Sequence, residues 1–326
     1  MPSISTDPKD ANFPFDNHDA DIILHTSDFV DFYVYKIILA HASPFFRTMF
    51  SLPGPQTPTV FESGIKEVDD DPPAEQRFGI PIILLTEDSE TLEALLRAVY
   101  PGLQPKIDDL DDVARLLQVS EKYEIEAFHP MARFILKEQV EEHPIHAYSI
   151  ACRFGFNDVA SCAAKASLHV RYTDIVTSRA GPVSFMTVPQ HQRLLEYHHR
   201  CGEAASRVAS SYQWVQDCRE KFNRFWIGHT GGCQERHKFY SSAQAGAQPS
   251  QTVEAPAYVW DYLARAERAL KEWPSASVVT SRDFIFAAHE TCNQCITDRR
   301  ACMGMLSQSL AEAVDLALNQ VPHFMA

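Results

Sequence analysis

Long apolar runs are missing from this 326-residue sequence. No stretch approaches the ~20 apolar residues that a membrane-spanning helix needs. The N-terminus has no apolar region of signal-peptide type, and no Asn-x-Ser/Thr acceptor occurs anywhere, so nothing marks a glycosylated, secreted surface. Positive charge is also short: 29 Lys and Arg stand against 43 Asp and Glu, a formal net charge of −14. With no basic stripe to offset it, broad phosphate binding is excluded, and no nucleic-acid partner is expected. The eight cysteines are scattered rather than framed as a disulfide scaffold. The expectation is a protein of the cytoplasm or nucleus, off the membrane, with free or metal-bound thiols.

Catalytic motifs are absent as well. There is no Gly-x-Ser-x-Gly, no P-loop, no His-Glu-x-x-His and no Gly-x-Gly-x-x-Gly. The pair His198-His199 has no recognised catalytic spacing, and Asp69–Asp71 beside Pro72-Pro73 reads as solvated charge. No self-similarity of 20–50 residues appears, so repeat architectures are excluded. No enzyme is expected. The competing reading is an enzyme built on Cys233, Cys292 and nearby histidines, which would need those thiols in an open cleft rather than packed in a core.

What is present is an apolar content of 45%, ordinary for a globular protein, over a length sufficient for two domains at ~150 residues each. The most strongly patterned stretch is Asp21–Phe50. Ile22–Leu24 is a short apolar run, and Phe29–Tyr35 alternates with period two, so the pair reads as a hairpin with His25–Asp28 as its turn. Lys36–Ala42 changes to a helical period, with Ile37, Ile38 and Leu39 able to reach a core. Ser43-Pro44 then starts a second helix: a serine caps orphan backbone donors, and proline suits the first helical position. Phe45, Phe46, Met49 and Phe50 follow at a spacing that gives that helix one aromatic face.

This β-β-α-α run resembles the opening of a BTB/POZ domain. The residues that carry the resemblance are Asp21, Val34-Tyr35-Lys36, Leu39-Ala40 and Ser43-Pro44-Phe45-Phe46. Tyr35 stands where the family usually has histidine. The resemblance continues through the strand Gly79–Leu85 and the helix capped by Ser89 with Leu92, Leu95, Leu96 and Val99. Tyr100-Pro101-Gly102 follows, then a helix opened by Asp108 and Asp109, then a helix over Phe128–Val140. It implies an α+β fold, a small sheet capped by helices, over residues 19–140. Residues 1–18 read as a flexible tail, and the Pro-rich, acidic stretch 52–78 as a disordered, solvated insert.

Residues 141–326 keep a helical pattern, read as Ile145–Phe154, Asn157–Val170, Val188–Val215, a helix lined by Val259, Tyr262, Leu263, Ala266 and Leu270, and one from Ser281 to Val321. Gly304 is a candidate kink in the last. This all-α region resembles the BACK-like extensions that follow BTB domains. Leu195-Glu196-Tyr197-His198, Trp226, Trp260-x-Tyr262-Leu263 and Cys292-x-x-Cys295 resemble the C-terminal region of fungal, basidiomycete-type BTB proteins.

The function that the resemblance implies is that of an interaction or adaptor protein, acting through self-association and, as in many members, through a cullin ubiquitin-ligase scaffold. It places Asp21 near a dimer interface and Ser43, Pro44, Phe45, Phe46, Met49 and Phe50 near the cullin-facing surface. The alternative is that the four apolar residues of this helix are simply core. A transcription-associated regulator is disfavoured by the acidic charge and the lack of tandem zinc fingers. No cofactor is expected, with one open alternative. His229, Cys233, Cys292 and Cys295 would make a closed, structural tetrahedral zinc site, or else Cys292 and Cys295 are small hydrophobes on an apolar stripe.

Overall fold

The computed structural model describes residues 8–52, 76–177, 184–211, 239–242, 253–285 and 293–322. The chain divides into two units, Met1–Leu136 and Lys137–Ala326.

The first unit is built on a five-stranded sheet of order β1-β3-β2-β5-β4. Its strands are β1 (Lys9–Asp10), β2 (Ile22–His25), β3 (Val30–Val34), β4 (Gln76–Arg77) and β5 (Ile80–Leu84). β2 sits in the middle, antiparallel to β3 through Ile22↔Val34 and Leu24↔Phe32, and parallel to β5 through Ile23↔Ile82. A central strand covered on both faces needs an unbroken apolar run, which Ile22-Ile23-Leu24 supplies. The parallel step from β2 to β5 requires a long crossover. That connection runs through β3 and then the helices α1 (Lys36–Ala42) and α2 (Pro44–Ser51).

Beyond β5 come α3 (Ser89–Val99), α4 (Leu110–Lys122) and α5 (His129–Glu138). Leu92, Leu95 and Leu96 of α3 share one core with Ile22, Leu24, Phe32 and Val34 of the inner sheet face and with Leu39 and Phe46. Each such side chain, fully buried, contributes about 1.5–3 kcal/mol. α3 is capped by Asp88, whose carboxylate accepts from the Thr91 N–H at 2.8 Å, and not by Ser89. Ser89 is the first helical residue instead, and its hydroxyl donates to Asp28 at 2.6 Å. Asp109 caps α4 in the same way through the Asp112 N–H at 2.9 Å.

Two stretches of this unit are more ordered than their composition implies. Residues 8–18 are no loose tail, because β1 pairs with β3 and Phe15 is fully buried against Phe32 and Tyr100. One buried aromatic is enough to tie down a short polar segment. The stretch 52–78 is not loop throughout either, since it ends in β4, which makes a hairpin with β5.

The second unit is helical: α6 (Pro144–Arg153), α7 (Asn157–Ala166), α8 (Tyr172–Val176), α9 (Val188–Ser211), α10 (Ala257–Glu272), α11 (Ala276–Thr280), α12 (Arg282–Ile285) and α13 (Asn293–Asn319). A hairpin of β6 (Phe239–Ser242) and β7 (Val253–Pro256) precedes α10. Small residues allow close packing: Ala205 and Ala209 of α9 meet Tyr262, Leu263 and Ala266 of α10, with Leu306 and Leu310 of α13 closing the core. Of the helix expected from Ser281 to Val321, residues 286–292 lie outside the described residues. Ser281 is extended, α12 ends at Ile285, and α13 begins at Asn293 and passes Gly304 without interruption.

Candidate functional site

The aromatic helix α2 divides its side chains between the core and the surface of the first unit. Ser43 anchors it. The fully buried hydroxyl of Ser43 accepts from the Phe46 N–H at 3.0 Å and donates to the Tyr123 carbonyl at 2.6 Å. One serine thus caps α2 and ties it to the end of α4. Phe46 goes inward, stacked on Tyr123 with centroids 5.2 Å apart. Phe45 lies on the rim, 39% exposed, edge-on to Phe46 at 5.4 Å and to Tyr123 at 5.5 Å. Met49 and Phe50 are half-buried against the same core, with the Lys36 ammonium 5.9 Å over the Phe50 ring. Pro44 is exposed at the helix start.

The end of α4 is fixed by a small polar network. Glu87 accepts from the Tyr123 hydroxyl and the Lys122 ammonium, each at 2.5 Å. Burial alone would push the Glu87 carboxyl up, but the Lys122 and Tyr123 donors outweigh it and hold the group below its ordinary value. Burial and the same carboxylate push the Tyr123 phenol far up, so it stays a donor.

Asp21 occupies a different place. Its carboxylate accepts from the Lys36 N–H at 2.7 Å and so caps the start of α1. On the same turn, the Tyr35 N–H donates to the Tyr100 hydroxyl at 2.9 Å and the Tyr35 hydroxyl accepts from Asn17 at 3.0 Å. Tyr35 is thus a linker between α1 and the loop before β2.

Ile37 departs from the sequence reading. The helical period groups it with Leu39 as able to reach the core, yet Leu39 is buried and Ile37 is 78% exposed. Two positions apart on a helix lie about 200° around the axis, so they cannot both face inward. That arithmetic is the signal that could have found it.

Residues 14–140 match the BTB/POZ domain family. No curated protein matches the chain. A BTB/POZ domain is in general a protein–protein interaction module, and no described helix is long and apolar enough to cross a membrane. The exposed residues Ile37 and Phe45, and the cap Asp21, all lie within the matched residues.

The expected zinc site lies outside the described residues. His229, Cys233 and Cys292 lie outside the described residues, as does Trp226, and Cys295 falls in α13 with its side chain outside the description. Among the described residues, no group of three His, Cys, Asp or Glu could hold a metal ion. Of the described cysteines, Cys201 is fully buried, and burial pushes its thiol up to about 11. Cys152 is shifted in the same direction for the same reason. Both are therefore protonated and poor nucleophiles.

Proposed function

We propose that this chain is an adaptor that self-associates through α1 of its BTB/POZ domain and offers the α2 rim to a second protein. The observation that carries it is Ile37, a large apolar side chain 78% exposed on a helix that the domain otherwise anchors from both ends. Isolated exposed apolar residues are common. This one is held rigidly, because Asp21 caps the helix start and Ser43 fixes the next helix. Rigid apolar anchors lose little entropy on association.

Sedimentation of the full chain across a concentration series tests the reading. The wild type is expected to run as a dimer, and Ile37→Asp to run as a monomer with an unchanged melting temperature. A wild-type monomer at every concentration sinks it.

The finer reading is recruitment to a cullin scaffold through Phe45 and its neighbours on α2. Its support is the half-exposed Phe45 ring, propped on Tyr123 at the junction of α2 and α4. A direct binding assay with a purified cullin N-terminal region decides it. Phe45→Ala should weaken binding while leaving the dimer intact, and absence of binding by the wild type removes the cullin reading alone.

A further inference from the structure

The sheet of the first unit has a second apolar face, opposite the helices, made by Ile23 and Tyr33 with Ala20, Ile80 and Ile82. Ile23 and Tyr33 are fully buried although that face has no helix in its cluster. His18 stacks on Tyr33 there, and β4 also reaches across this face. In strand order, β4 is three places from β3, which in a flat sheet would separate them by about 14 Å. That is farther than an arginine side chain reaches. Yet Arg77 of β4 makes an ion pair with Asp31 of β3, so the hairpin is curled back across the outer face.

The fastening is specific. Asp31 has no exposed side-chain surface, while Arg77 keeps 28% and His25, whose Nδ1 lies 2.5 Å from the other carboxylate oxygen, keeps 17%. Among the described residues, β4 has few other ties. It pairs with β5 over two residues only, and one of its partners is Pro81, which has no N–H to donate. The turn itself is under strain. Phe78 and Gly79 both have positive φ, 53° and 79°, as a type I′ turn demands. Glycine accepts this conformation freely, whereas the Cβ of a phenylalanine crowds the following carbonyl oxygen. The Phe78 ring is 77% exposed, and its aromatic neighbour is His18, 5.5 Å away, which in turn stacks on Tyr33 at 4.5 Å.

We propose that β4 is a strap across the outer face of the sheet, fastened chiefly by the Arg77–Asp31 ion pair. Released, it would expose Ile23, Tyr33 and the free edge of β5, a surface separate from α1 and α2. Fastened, it keeps that apolar edge from pairing with other chains.

Amide hydrogen exchange on the full chain tests this with Arg77→Met and with the double variant Asp31→Asn/Arg77→Met, which leaves no buried charge behind. In both, exchange over residues 76–84 should quicken by about tenfold or more, with α3 and α4 as protected as in the wild type. Binding of an apolar fluorescent dye should rise in step. Wild-type exchange over 76–84 in the double variant overturns the proposal, because apolar contacts and not the pair would then hold the hairpin. Equal acceleration throughout the domain in the double variant overturns it too, because the pair would then belong to the global core.

Discussion

The carboxylate of Asp21 lies 2.7 Å from the backbone nitrogen of Lys36 and accepts its hydrogen bond. An acidic residue before the first core strand thereby serves a helix start 15 residues later. It complements the positive end of the α1 dipole and satisfies a donor that the helix itself leaves unpaired. A role for Asp21 in association would therefore be exerted through the position of α1.

Asp21→Ala is expected to lower stability by about 1 kcal/mol, the usual loss on deleting a cap. Asp21→Asn keeps an oxygen in place and should cost only a few tenths. Urea unfolding of the two variants separates the cases. Equal losses would mean that charge, and not the hydrogen bond, is what α1 needs.

Ser43→Ala should be more damaging. The substitution removes the α2 cap and strands the Tyr123 carbonyl, which accepts the serine hydroxyl in a buried setting. A lost cap of ~1 kcal/mol and an unpaired buried acceptor of ~1–3 kcal/mol act together. A loss of about 2–3 kcal/mol is expected in a denaturant titration. A loss below about 0.5 kcal/mol would show that water replaces the hydroxyl.

Much of this is legible in residue order. Ile22–Leu24 announces a strand, Ser43-Pro44 a helix start, and Asp108-Asp109 the opening of another helix, because each is a local rule acting on adjacent residues. What escapes reading depends on partners distant in the chain. The segment of residues 8–18 is ordered by Phe15 packing on Tyr100. Arg77 belongs to a strand because Asp31 waits 46 positions earlier. Composition describes both segments correctly as polar, but one buried contact outweighs composition over so few residues. For the candidate surface, the spacing identifies α2 as amphipathic without saying which phenylalanine stays outside. That depends on where Tyr123 arrives.

Two glycines should respond in opposite directions to alanine. A Cβ on Gly202 would sit 2.5 Å from the Lys271 carbonyl oxygen, part of the α10 backbone and unable to rotate away. Overpacking of about 1–3 kcal/mol or more exceeds the ~1 kcal/mol that alanine gains in a helix, so Gly202→Ala destabilises the second unit. The second glycine, Gly304 of α13, has nothing within 4 Å of where a Cβ would lie. Gly304→Ala should therefore raise stability by up to about 1 kcal/mol. Melting curves of both variants check the pair of signs.

His198 supplies a pH dependence to the second unit. Its side chain is fully buried on α9, with Nε2 2.9 Å from the Val170 carbonyl oxygen. Burial pushes its pKa down, against the opposing pull of the Val170 carbonyl, and His199 adds to the lowering. The folded value therefore lies below the ordinary 6.5. Well above 6.5 both folded and unfolded chains hold a neutral imidazole, and the contribution to stability is fully present. As the pH falls through that ordinary value, the unfolded chain takes up the proton first, and stability is lost until the folded pKa is passed. Urea midpoints should thus decline as the pH falls through the ordinary 6.5, and His198→Gln should flatten that part of the decline while lowering the plateau. A variant whose pH profile runs parallel to the wild type would assign the decline to other histidines.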